Sequence, residues 1–215
     1  MKGLLLKDWY QVRTSMKAMC LTVAFVLVIW VFSTSNAYVF PVSYAAVFLG
    51  ILPINLLAYD HASGWTEYSF ALPLSKELQV AEKYLVGLLC TAVSAALNGI
   101  FCGIRFWMGK PLPAMPIGLL LGAGAASILL INGIMLPLYY RFGAEKARML
   151  YMLMFAGMGA ALGGGAVMDE LQQNGTGSGP LPVPLWLAAV LLLAVLALYA
   201  VSWRVSVAWY GKYKK

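Results

Sequence analysis

Six runs of 15 to 27 residues in this chain contain no Asp, Glu, Lys or Arg: 18–32, 38–59, 84–104, 114–140, 149–168 and 185–203. A helix needs about 20 mostly apolar residues to cross a bilayer. In lipid every backbone polar group must be satisfied within the chain, so such runs are helices. The predicted fold class is therefore an all-α integral membrane protein with six transmembrane helices. Charged residues make up 11% of the chain, against about 25% in soluble domains, so a soluble core is excluded. The first run is short, and Ser35-Asn36-Ala37 after it has the small residues of a cleavage site. It is nevertheless expected to remain as an uncleaved first span.

Charge sets the orientation. With the N-terminus in the cytoplasm, the inner segments hold thirteen of the fifteen basic residues, and only Arg105 and Lys110 fall outside. The positive-inside rule then places both termini in the cytoplasm. The net charge of +7 is spread between apolar spans, which fits anionic lipid and excludes nucleic acid as the partner. Residues 1–15 read as an amphipathic interfacial helix, with Leu4, Leu5, Trp9 and Val12 on one face. Residues 169–184, rich in Gly, Pro and polar side chains, read as the long extracellular loop. Residues 1–215 thus form a single transmembrane domain.

Chemistry is sparse. The sequence has no phosphate-binding GxxxxGK[ST], no HExxH and no GxSxG, so the chain is not expected to be an enzyme. Cys20, Cys90 and Cys102 lie in or beside apolar runs and read as small embedded residues. The single His61 reads as a solvated loop residue, and no metal site is expected. Asn55, Asn98 and Asn132 lie inside spans. They are candidates for a substrate path, or they hydrogen-bond between helices. Gly118-x-x-x-Gly122 and Gly159-x-x-x-Gly163 permit close helix contact, and the five glycines of 157–165 predict a loosened helix end.

The stretch 60–83 breaks this pattern on the cytoplasmic side. Trp65, Tyr68 and Leu72 are spaced for one aromatic face of a short helix flanked by Glu67. Leu72-Pro73 stops it. Ser75 caps a new helix with Glu77 in its first turn, and that helix continues through Lys83 into the third span.

The segment WTEYSFALPLSKELQVAEKYL resembles the one after the second span in type-2 ATP-binding-cassette (ABC) exporter permeases. YYRFGAEKAR at 139–148 and MKGLLLKDWY at the start are similar to a small bacterial branch of that family. The resemblance implies that 60–83 holds a coupling helix docking on a separate ABC ATPase. Trp65, Glu67 and Tyr68 would touch that subunit, while Pro73, Ser75, Lys76 and Lys83 would fix the lever. Arg141, Gly143, Glu145 and Lys146 would form the second cytoplasmic corner. It implies two ATPase copies, a second permease subunit, and ATP and Mg2+ bound by the partner with no cofactor in this chain. The location would be the bacterial plasma membrane. The expected function is export of an amphipathic or hydrophobic molecule, first of all a peptide such as an antimicrobial or cytolytic one. The alternatives are export of small lipophilic drugs, or a stand-alone immunity or scaffold protein without an ATPase.

Overall fold

The computed structural model of the chain describes residues 2–32, 39–72, 75–110, 117–172 and 185–210. Seven helices account for nearly all of them: α1 (Lys2–Ser15), α2 (Lys17–Phe32), α3 (Val39–Ala62), α4 (Trp65–Ala71), α5 (Lys76–Trp107), α6 (Ile117–Gln172) and α7 (Leu185–Tyr210). Among the described residues α3, α5, the first half of α6, and α7 are each long and apolar enough to cross a membrane. A fifth crossing arises if α1 and α2, bent by 69° at Met16, form one broken span. The fifth predicted run, 149–168, lies in the second half of α6.

Two connections differ from the sequence reading. Residues 139–148 form no loop: the helix breaks at Gly143 alone, which has φ 80° and ψ 177°. That left-handed value suits glycine, which has no Cβ to clash, so one residue turns the chain. The predicted loosening over 157–165 is absent, because α6 stays helical to Gln172. The first four residues of the predicted extracellular loop, 169–172, thus belong to a helix, and 173–184 lie outside the described residues.

The first half of α6 and the helices α3, α5 and α7 supply the packing. One core cluster joins Leu57, Val80, Tyr84, Leu136, Tyr140 and Tyr199 from these four helices. A second seats Met16 with Leu49, Leu52, Leu56, Val86 and Cys90. The close approach does not fall at Gly118 or Gly122, which have nothing within 4 Å of an added Cβ; the surroundings of Gly159 and Gly163 lie outside the described residues. It falls at Gly87 in α5, where a Cβ would stand 2.5 Å from the Tyr199 hydroxyl of α7.

Arg105 and Lys110 are not free loop charges. Arg105 lies in α5, has no exposed surface and donates to Trp30 O at 2.6 Å. Lys110 donates to Val31 O at 2.6 Å. The last carbonyls of α2 have no partner within their own helix and carry the negative end of its dipole, so two cations belong there.

Candidate functional site

The functional residues gather at the end of the bundle where α4 lies. Gly64, left-handed at φ 72°, precedes α4, and Leu72, extended at φ −83° and ψ 147°, ends it. Ser75 then accepts a hydrogen bond from Leu78 N at 3.3 Å and starts α5, with Glu77 in the first turn. A 32-residue helix is about 48 Å long, well beyond a hydrocarbon layer of about 30 Å. Its charged first turns, 76–83, therefore project beyond the charge-free stretch that begins at Tyr84.

Two polar links tie α4 to the bundle. Buried Ser69 lies 3.1 Å from Gln79 Oε1, and Gln79 Nε2 donates back to Ser69 O at 3.3 Å. The Tyr210 hydroxyl of α7 donates to the same Gln79 oxygen. At the other end of α4, the Lys7 ammonium sits 4.7 Å from the centre of the Trp65 ring. The aromatic face predicted from Trp65, Tyr68 and Leu72 is therefore divided. Trp65 is half-buried, Tyr68 is 59% exposed, and Leu72 lies past the helix end. Glu67 and Lys76 are exposed, and Pro73 lies outside the described residues.

Beside α4 a buried ion cluster joins α1, α3 and α5. Lys83 Nζ lies 2.9 and 2.8 Å from the two Asp8 oxygens and 2.8 Å from Asp60 Oδ2. Lys7 Nζ lies 2.7 Å from Asp60 Oδ1 and 3.2 Å from Asp8 Oδ1. Glu82 Oε1 stands 3.7 Å from Lys83 Nζ. Burial opposes the charge on Lys83, but Glu82, Asp8 and Asp60 outweigh it and hold its pKa above the ordinary value. Burial, opposed by Lys83 and reinforced by the neighbouring Asp8 carboxylate, pushes Glu82 up to about 7.

The sequence placed Lys83 here but not its partners. Asp8 was given no role, yet it is 2% exposed, and with Leu4 it forms the buried face of α1. Trp9, expected on the apolar face with Leu4, is 64% exposed. A signal was present for two of them: Asp60 and Glu82 stand within two residues of the ends of charge-free runs.

Farther along, a hydroxyl chain joins α5, α6 and α7. Ser202 Oγ donates to Gly133 O, the carbonyl whose helical partner would be the missing N–H of Pro137. Its hydrogen is thereby used, so the Tyr84 hydroxyl donates to Ser202 and accepts from Ser206, both at 2.7 Å. At the predicted second corner, Arg141 is exposed with its guanidinium 4.8 Å from the Trp209 ring. Gly143 is the buried turn and Lys146 is exposed; the Glu145 side chain is outside the described residues.

The three asparagines do not converge. Asn55 Nδ2 reaches Met19 Sδ of α2 at 3.8 Å. Asn98 and Asn132 donate to Ser94 O and Ile128 O, four residues back in their own helices. Among the described residues neither makes an interhelical hydrogen bond. His61, expected in a loop, is exposed in the last turn of α3. Among the described residues no group of His, Cys, Asp and Glu is arranged to hold a metal ion.

At this end of the molecule a short helix is braced against its neighbours beside the ion cluster. A family model described as "ABC-2 family transporter protein" matches residues 3–211. The chain belongs to the ABC-2 transporter family. No curated protein and no solved structure matches it. As an ABC-2 member with several membrane-length helices it is a multi-pass membrane protein. ABC-2 permeases usually work with an ABC ATPase partner.

Proposed function

We propose that this chain is the permease subunit of an ATP-driven exporter, with six spans, both termini in the cytoplasm and α4 as the coupling helix. The observation that carries the reading is the construction of α4: a seven-residue helix, capped off from α3 and α5, with Glu67 and Tyr68 exposed. Force applied to it passes to α5 and α7 through Ser69, Gln79 and Tyr210, and to α1 through Trp65 and Lys7. Two permeases and two ATPase subunits form the transporter. Arg141, Gly143, Glu145 and Lys146 shape the second cytoplasmic corner. ATP and Mg2+ belong to the ATPase, and this chain performs no chemistry. The cargo is an amphipathic or hydrophobic molecule, with a membrane-active peptide first, by family analogy.

Glu67→Lys tests the coupling contact. It barely changes helix propensity but reverses a charge at the proposed interface. A mispaired, desolvated charge costs about 2–5 kcal/mol, enough to weaken assembly at least ~10-fold. ATPase co-purification and transport are expected to fall for Glu67→Lys and to hold for Gln172→Lys. Wild-type assembly and transport by Glu67→Lys would remove α4 as the contact.

A further inference from the structure

A cavity of about 50 Å3 lies beside the ion cluster, lined in part by Asp60, His61, Trp65, Thr66, Glu82 and Tyr140. About 10–15 Å3 on this measure holds one water, so three or four heavy atoms fit. That is one charged head group, far short of the roughly 300–1,000 Å3 of a small-molecule site. With Glu82 ionised the surrounding charge is unbalanced: among the described residues three acids, Asp8, Asp60 and Glu82, face two cations, Lys7 and Lys83. Lys83 directs its short contacts to Asp8 and Asp60. Glu82 is 3% exposed, lines the cavity, and its Oε1 has no hydrogen-bond donor. Buried polar atoms are normally satisfied, so this oxygen points to a missing donor. Trp65 and Tyr140 also line the cavity, and the Trp65 ring already holds the Lys7 ammonium at 4.7 Å. Exposed His61 and half-buried Thr66 border the cavity beside α4. Leu57 and Tyr139, about a turn deeper in α3 and α6, wall it toward the membrane.

We infer that this cavity receives the head group of one basic side chain, a lysine ammonium or an arginine guanidinium, carried by the ATPase subunit that docks on α4. The inference rests on the docking proposed above and adds a second, buried contact to it. The entrance beside α4 and the apolar inner wall favour a protein side chain over a lipid head group.

Ethylguanidinium serves as the probe, titrated into the purified full chain in detergent, with Trp65 emission isolated by subtracting a Trp65→Phe control. Saturable binding is expected, at least ~10-fold tighter than in Glu82→Gln. Tetramethylammonium, which has no N–H to donate, is expected to be inert. Thr66→Lys keeps every acid and supplies a tethered ammonium, so it is expected to abolish probe binding. Equal binding by wild type, Glu82→Gln and Thr66→Lys overturns the site. In nanodiscs, probe binding blocked by phosphatidylethanolamine but not by phosphatidylglycerol assigns the cavity to lipid and overturns the inference. In ATPase co-purification both Glu82→Gln and Glu67→Lys are expected to lose about tenfold. Loss with Glu67→Lys alone overturns the cavity contact and leaves the docking reading standing. Indifference of both removes the docking reading and this inference with it.

Discussion

Adding one methyl group at Gly87 tests how tightly α5 is locked to α7. The new Cβ would meet the Tyr199 hydroxyl at 2.5 Å, with the Asn132 side chain at 3.6 Å. Ordinary contact begins near 3.4 Å, so the hydroxyl or a helix must give by about 1 Å. The hydroxyl has little freedom: Tyr199 is 6% exposed, donates to Tyr84 O at 2.8 Å, and packs its ring 4.9 Å from that of Tyr84. Losing the hydrogen bond costs about 0.5–1.5 kcal/mol and overpacking about 1–3 kcal/mol. Gly87→Ala is therefore expected to destabilise by about 2–4 kcal/mol. Tyr199→Phe alone removes only the hydrogen bond and should cost about 1 kcal/mol. In the double variant the methyl takes the space the hydroxyl vacated, so the overpacking cost largely disappears. The two changes are then coupled by about 2–4 kcal/mol, with the pair less damaging than the separate effects together. Unfolding of all four proteins from mixed micelles, followed by circular dichroism, measures the cycle. Additivity within about 0.5 kcal/mol would refute the close approach at Gly87.

Single cysteines at Gln173 and Ser75, in a background without native cysteines, are expected to label from opposite sides of intact cells; labelling of both from outside refutes the six-span topology. Ser202→Ala is expected to cost about 1 kcal/mol in the same unfolding assay. Its cost should shrink in a Pro137→Ala background, where Gly133 O regains a backbone donor; an unchanged cost means the hydroxyl does not serve that carbonyl. Probe binding to the Glu82 cavity is expected to strengthen about tenfold in all as pH rises from 6 to 8, most of it below 7. The sign follows from Glu82, pushed up to about 7 by burial: below that pH it is neutral and the proton holds the site, above it the carboxylate is free for the cation. The facing groups are Lys7 and Asp8 of α1, Asp60 and His61 of α3, Lys83 of α5, Tyr140 of α6 and Tyr210 of α7. A flat profile in wild type, or a slope lost in His61→Gln, removes Glu82 as the titrating group.

The length of an apolar run and the local stops around it are properties of neighbouring residues, which is why the sequence alone determined the membrane class, α3 and α5 to within a few residues, and the start of α7. The end of α4 and the start of α5 were legible for the same reason: Leu72-Pro73 cannot continue a helix, and Ser75 caps the next one. Rotation about each helix axis was not legible. A span apolar on every side has no hydrophobic stripe to say which face turns inward; only packing against neighbours decides it. So Asn98 and Asn132, candidates by residue type, turned out to bond back to their own helices, while Gly87 became the close contact instead of Gly118 or Gly122. At Gly143 a sequence that reads as a polar connection became a one-residue break, because a glycine at φ 80° kinks the helix without a loop. The ion cluster depended most on tertiary structure: Asp8 and Lys83 are 75 residues apart, and no local rule pairs them. Each charge, taken alone, belongs at a solvated helix end. Burying five of them together is tolerable only because α1, α3 and α5 deliver both signs to within 4 Å of one another.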